Sequence, residues 1–181
     1  MTDPREFCCA ETLRNGTAVT VRALRADDRQ RLISAFQLLD RESVYRRFFA
    51  FKSELTDEDL DHIMTADPDR EVALVVAVGA GSDETIIASG RYVAADAESP
   101  RRTAEVAFIV EEDYQGLGIA RRLLAHLVDI ARAAGITTFE ADVLAINRAM
   151  LAVFSKCGLP MQTQHDDGVV HVTLSLQSAP R

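Results

Sequence analysis

The residues best placed to do chemistry are Gln115-Gly116-Leu117-Gly118-Ile119-Ala120. They follow an apolar run, residues 106–110, and a short acidic turn, Glu111-Glu112-Asp113, and they open a helix. The first amides of a helix have no acceptor inside it. The same end carries about half a positive charge. Glycine lets a ligand come close to the backbone, because no Cβ stands in the way. Such a corner can seat a phosphate. The spacing is not the three-glycine dinucleotide fingerprint, and no Gly-Lys-Ser/Thr follows as in a P-loop. As a bare pattern it also fits a tight strand-to-helix turn. The second candidate is Glu105, one residue before the apolar run. A charge at the mouth of a buried strand is placed to face a cleft, where a carboxylate can accept a proton. A solvated strand-end glutamate fits the same pattern.

The element that must position the loop is the helix after it. Leu117, Ala120, Leu124, Leu127, Val128 and Ala131 recur at three- and four-residue steps on one face, the spacing of an amphipathic helix. Arg121, Arg122, Asp129 and Arg132 lie mostly off that face, and Gly135 is a C-terminal stop. Upstream, residues 1–14 show no clear period and read as an N-terminal arm. Asn15-Gly16 is a turn, and residues 17–22 alternate as a first strand. Asp27, with Gln30 completing a capping box, starts a helix to about Leu39. Residues 43–49 form a short aromatic helical stretch, and Thr56 starts a third helix ending near Met64.

Glu71–Val78 and residues 85–93 read as an antiparallel pair. Residues 96–102 are a loop, and Thr103–Val110 is the strand that delivers the chain to the glycine loop. Thr138–Leu144 is a strand and residues 147–157 a helix. Residues 161–165 and 169–176 form a last hairpin around Asp166-Asp167-Gly168. This order makes one domain, residues 15–177, with a mixed central sheet and helices on both faces, an α/β (α+β) architecture. Residues 178–181 are a tail.

The 181 residues suit a single core. With 48% hydrophobic and 27% charged residues, the composition is that of ordinary globular protein. No apolar run approaches the roughly 18 residues of a membrane span. The charged first residues lack a signal-peptide core, so a cytoplasmic protein with no membrane partner is expected. A net charge of −8 opposes nonspecific nucleic-acid binding and favours approach of cationic acceptors; solubility alone also explains it. Cys8 and Cys9 are adjacent in a set of three cysteines, which argues for free thiols. The four histidines show no ligand spacing with the cysteines, so no metal is expected.

Gln115-Gly116-Leu117-Gly118-Ile119-Ala120 resembles the Gln/Arg-x-x-Gly-x-Gly/Ala signature of the GCN5-related N-acetyltransferases. Residues 147–159, from Asn147 through Phe154-Ser155-Lys156-Cys157-Gly158-Leu159, resemble that family's Asn-x-x-(small)…Leu-Gly-Phe helix. Thr103-Ala104-Glu105-Val106-Ala107 is similar to the Ala-Glu-x-Ala segment of the bacterial protein-lysine acetyltransferase branch. Ser43-Val44-Tyr45-Arg46-Arg47-Phe48-Phe49 resembles that branch's Ser-x-x-Tyr-x-Arg-Phe-Phe. The likeness spans roughly residues 17–176. It implies acetyl-CoA as co-substrate, with its pyrophosphate on Gln115, Gly116, Leu117, Gly118, Ile119, Ala120 and Arg121. It implies pantetheine in a cleft between two splayed strands, meeting main-chain groups of Phe108, Ile109 and Val110, with Asn147 on the far side. It also implies Glu105 as general base. Asn147 reads independently as a helix N-cap.

A lysine amine, with pKa about 10.4, costs about 4.6 kcal/mol to neutralise at pH 7, so the base has a task. Many relatives carry a tyrosine acid where this chain has Phe154, and no general acid is assigned. The acceptor implied is an amine, foremost a protein lysine. A small-molecule amine, or a non-catalytic acyl-CoA-binding module, are the alternatives. Oligomeric state is not encoded in these patterns.

Overall fold

A computed structural model describes residues 3–49, 52–95 and 102–177. Its strands are β1 (Cys8–Thr12), β2 (Ala18–Ala23), β3 (Glu71–Val78), β4 (Thr85–Ala94), β5 (Thr103–Val110), β6 (Thr138–Leu144), β7 (Met161–Asp166) and β8 (Val169–Ser175). They form one sheet in the order β1-β2-β3-β4-β5-β6-β8-β7. Every neighbouring pair is antiparallel except β5–β6. The helices are α1 (Arg29–Leu38), α2 (Arg41–Phe48), α3 (Asp57–Met64), α4 (Ile119–Ala133) and α5 (Arg148–Ser155). The mixed α/β architecture is as expected. Among the described residues, no helix is long and apolar enough to cross a membrane.

The expected N-terminal arm needs correction. Residues 8–12 are a strand, paired antiparallel with β2 from Cys8↔Arg22 to Thr12↔Ala18. Its exposed and half-buried residues alternate, but none is buried enough to give a hydrophobic period. The capping box at Asp27 also does not form. Residues 26–28 make a 3-10 turn, and Asp28 is drawn inward to Arg22 instead. The Thr56 cap does form, reciprocally with Asp59. Residues 96–101 and 178–181, expected as loop and tail, lie outside the described residues.

The two faces of the sheet are covered differently. α4 buries Ile119, Ala120, Leu123, Leu124, Leu127, Val128 and Ala131 against β3, β4 and β5. α1 and α2 pack on β4 and β5 from the other face, since neighbouring strand residues point to opposite sides. Gly90 shows how tightly β4 and β5 fit on the α4 side. It is the register partner of Phe108, and a Cβ there would stand 2.7 Å from the Phe108 ring. Asp167 and Gly168, with φ of 43° and 80°, close the β7–β8 hairpin in the turn expected of Asp-Gly.

Under α1 a buried charge network anchors the sheet. Arg22 is 1% exposed and Asp28 0%. Their side chains meet at 2.7 and 2.8 Å, and Arg22 also reaches Glu84 at 2.5 Å.

Candidate active site

β5 and β6 pair over three positions only: Thr103↔Thr138, Ala104↔Phe139 and Glu105↔Glu140. Beyond Glu105 the strands part. The opening is a cavity of about 670 Å³, lined by residues of β5, β6, α2, the glycine loop and α5.

Strand geometry decides which backbone groups enter it. Ala95 donates to the Thr103 carbonyl at 2.8 Å and Glu111 to the Ile87 carbonyl at 2.9 Å. These bonds turn the odd-numbered residues of β5 toward β4. The pleat turns the main-chain groups of Val106, Phe108 and Val110 to the other edge, into the opening. Phe108 and Val110 therefore turn main-chain groups toward the opening. Ile109 is a correction: its amide and carbonyl face β4, and it meets the cavity through its side chain.

At the far end of the opening the loop takes the expected shape. Gly116 and Gly118 have φ of 76° and 88°, a left-handed backbone that costs other residues roughly 1–2 kcal/mol. Gly118 is the N-cap of α4. The amides of Gly116, Leu117, Gly118, Ile119, Ala120 and Arg121 find no acceptor among the described residues. Consecutive free amides in this conformation make an anion nest. Gln115 is a brace: its Nε2 donates to the Val110 carbonyl at 3.1 Å and meets the Ser43 hydroxyl at 3.3 Å.

Charge supports an anion here. The protein carries −8 overall, yet Arg14, Arg46, Arg47, Arg121 and Lys156 line the cavity against only Glu105 and Asp142. Sequence reasoning missed Arg14, which follows the unrecognised β1. Its guanidinium stands 3.6 Å from where a Gly118 Cβ would be. Arg46 and Arg47 sit in the quoted α2 segment, but nothing in their spacing marked them as lining residues. Arg47 lies on both this cavity and a second one. Its pKa is pushed down to about 10 by burial and then by the Arg91 charge, with Glu105 and Glu71 pulling the other way. It stays charged at neutral pH.

Glu105 is exposed and lines the cavity. Asn147 caps α5, accepting from the Met150 amide at 3.3 Å. That bond uses its oxygen and leaves the amide nitrogen available on the cavity wall. Phe154 is 1% exposed, its ring 6.1 Å from that of Phe108. Ser155 is turned away, donating to the Ala152 carbonyl at 3.2 Å. Of the acidic turn, Asp113 is exposed, and Glu111 and Glu112 are half-buried. Burial, first among the causes, raises the Glu111 carboxyl above its usual range.

Beneath α1, α2 and α3 lies the second cavity, about 570 Å³, walled by apolar side chains such as Leu32, Phe36, Val75 and Ile87 and by the charged Glu58, Asp61, Arg91 and Glu111. It shares Arg47, Phe48 and Ile109 with the first.

A family model described as the acetyltransferase (GNAT) family matches residues 35–159. Acetyltransferase PA5475 of Pseudomonas aeruginosa is 32% identical over 89% of this chain and 86% of its own length. Acetyltransferase Pat of Mycolicibacterium smegmatis is 31% identical over 87% of this chain, which spans only 46% of that relative. The solved GNAT domain of S. lividans PAT superposes with a TM-score of 0.84 at 34% identity, covering 93% of this chain and 96% of that one. The strands that part, the glycine-capped helix and these matches agree: the chain belongs to the acetyltransferase (GNAT) family and is an N-acetyltransferase.

Proposed function

We propose that the protein moves an acetyl group from acetyl-CoA to an amine nitrogen by direct attack, with Glu105 taking the amine's proton, and that the acceptor is a protein lysine. The observation that carries this reading is the opening between β5 and β6, with free amides, Arg14 and Arg121 at one end and Glu105 at the other. The diphosphate sits on residues 116–121, helped by Arg14 and Arg121. The pantetheine arm pairs with the main chain of Phe108 and Val110 and meets the Asn147 amide. The thioester then reaches the Glu105 end.

The amine lone pair attacks the thioester carbonyl carbon, and the carbon–sulfur bond breaks. Glu105 receives the nitrogen's proton, directly or through water, a role worth about 10²–10⁴ in rate. The thiolate leaves and takes a proton from water, since neither Phe154 nor Ser155 offers one. Holding the two reactants side by side contributes about 7–11 kcal/mol. The cleft-facing amides of β5 are available to polarise the thioester carbonyl.

A protein acceptor is favoured by Phe48 and Phe49, 37% and 39% exposed at the cavity mouth. A small amine is favoured by the second cavity, whose lining includes the carboxylates of Glu58, Asp61 and Glu111. The deciding experiment is a thiol-release screen over proteins and small amines, repeated with Ala35→Trp, which fills the second cavity. Turnover of proteins unaffected by Ala35→Trp supports the lysine reading. Turnover of small amines alone, lost in that variant, replaces it. Binding of acetyl-CoA with no thiol release from any acceptor would leave a binding module.

A further inference from the structure

Away from the cleft, the fold brings His126 to two side chains of β1 that lie more than a hundred residues earlier in the sequence. Cys9 and Glu11 are two apart on β1 and so share a face. His126 lies on α4, where the sheet carries β1 against it. The Cys9 Sγ is 3.7 Å from His126 Nε2 and 3.7 Å from Glu11 Oε1, and Glu11 Oε1 is 2.5 Å from the same Nε2. A catalytic relay would place the acid on one imidazole nitrogen and the nucleophile on the other. Here both meet Nε2, so one sulfur, one nitrogen and one oxygen ligand atom lie within 4.8 Å of one another.

We propose that Cys9, Glu11 and His126 bind a divalent transition ion of the zinc type. Zinc takes sulfur at about 2.3 Å and nitrogen or oxygen at about 2.0–2.2 Å, so tetrahedral ligand atoms stand about 3.6 Å apart on edges with sulfur and about 3.3 Å apart otherwise. Both sulfur edges are already near that length. The nitrogen–oxygen edge reaches it by opening less than about 1 Å, through the broad terminal torsion of glutamate. A thiolate, an imidazole and a carboxylate are a donor set for zinc or cobalt, not for magnesium or calcium. The surroundings hold the ligands. Arg122 bonds the other Glu11 oxygen at 2.5 Å and the Thr12 carbonyl at 2.8 Å, and the Phe7 ring lies 4.9 Å from the imidazole. The ion pins β1 to the middle of α4. It thereby fixes Arg14, just past β1, beside Gly118. Linear spacing does not display this cluster, because its residues belong to a strand and a helix far apart in the chain.

The test is titration of chelator-treated full-length protein with Co²⁺, read by absorbance. The expected result is a thiolate-to-cobalt charge-transfer band that saturates at one equivalent and is displaced by Zn²⁺. Cys8→Ser should keep the band and Cys9→Ser abolish it. His126→Gln should weaken Zn²⁺ at least tenfold against a chromophoric chelator. Zn²⁺ should also raise the melting temperature of the wild type and not of Cys9→Ser, which sits on an edge strand and keeps the fold measurable if His126→Gln does not. No charge-transfer band in the wild type, or Zn²⁺ affinity unchanged in Cys9→Ser, overturns the site and leaves Glu11, His126 and Arg122 as an ion-pair network beside a packed thiol.

Discussion

Glu105 is paired in register with Glu140 at the last position before β5 and β6 separate. That placement puts its carboxylate where the sheet opens, at the end of the cleft remote from the α4 amides. Glu105→Gln keeps the size and removes the proposed base. Turnover is expected to fall about 10²–10³-fold, with acetyl-CoA affinity unchanged. Steady-state kinetics with calorimetry checks both; unchanged turnover with every amine moves the base elsewhere.

Gly118→Val tests the seat itself. At φ 88° a β-branched residue is strained, and its side chain would crowd Arg14. The loop must shift, and acetyl-CoA should bind about tenfold more weakly, a change of about 1.4 kcal/mol. Calorimetric titration measures it, and an unaltered Kd would mean that the ligand does not use this corner.

Asn147 caps α5 and, in the proposed function, also meets the pantetheine arm. Asp caps as well as Asn does, so Asn147→Asp should leave the melting temperature nearly unchanged. It removes the amide nitrogen and adds a negative charge to the cavity wall, and acetyl-CoA affinity should drop several-fold. Asn147→Ala should cost about 0.5–2 kcal/mol of stability as well. Equal affinities in wild type and Asn147→Asp would reduce the residue to a cap.

The Arg22–Asp28 pair governs stability in acid. Burial by itself would raise the Asp28 pKa, but the bonds from Arg22 and the Arg25 amide outweigh it and hold the carboxyl below its usual range. A depressed carboxylate contributes stability that is complete above its unfolded pKa of about 3.9 and is lost as pH falls through the lower folded value. Asp28→Asn should therefore be less stable than wild type at pH 7, with the two melting curves converging below about pH 4. Arg22→Met leaves Asp28 buried without its partner and should cost about 3–5 kcal/mol. Parallel melting temperatures of wild type and Asp28→Asn down to pH 2 would contradict this.

The parts of the fold that were legible are those whose signals are local. Glu71–Val78 is bounded as its nearly continuous apolar run suggests, and Thr103–Val110 and Thr138–Leu144 as their buried apolar positions suggest, with Glu105, Glu140 and Asp142 exposed between them. Gly116 and Gly118 marked the loop, since few other residues tolerate that backbone. β1 was not legible: an edge strand with no fully buried side chain leaves no period, and Arg14 was lost with it. Asp27 satisfied the local capping rule, but Arg22 lies on a strand whose proximity to Asp28 no sequence window contains. Ile109 could have been assigned correctly, because the pleat allows only alternate residues of a strand to face one edge.

The most direct measurement is a crystal structure with coenzyme A. The expected result places diphosphate oxygens about 3 Å from the amides of residues 116–121, with the pantetheine paired to the main chain of Phe108 and Val110 and the thiol toward Glu105. A diphosphate bound elsewhere, or a thiol directed away from Glu105, would contradict the reading at its base.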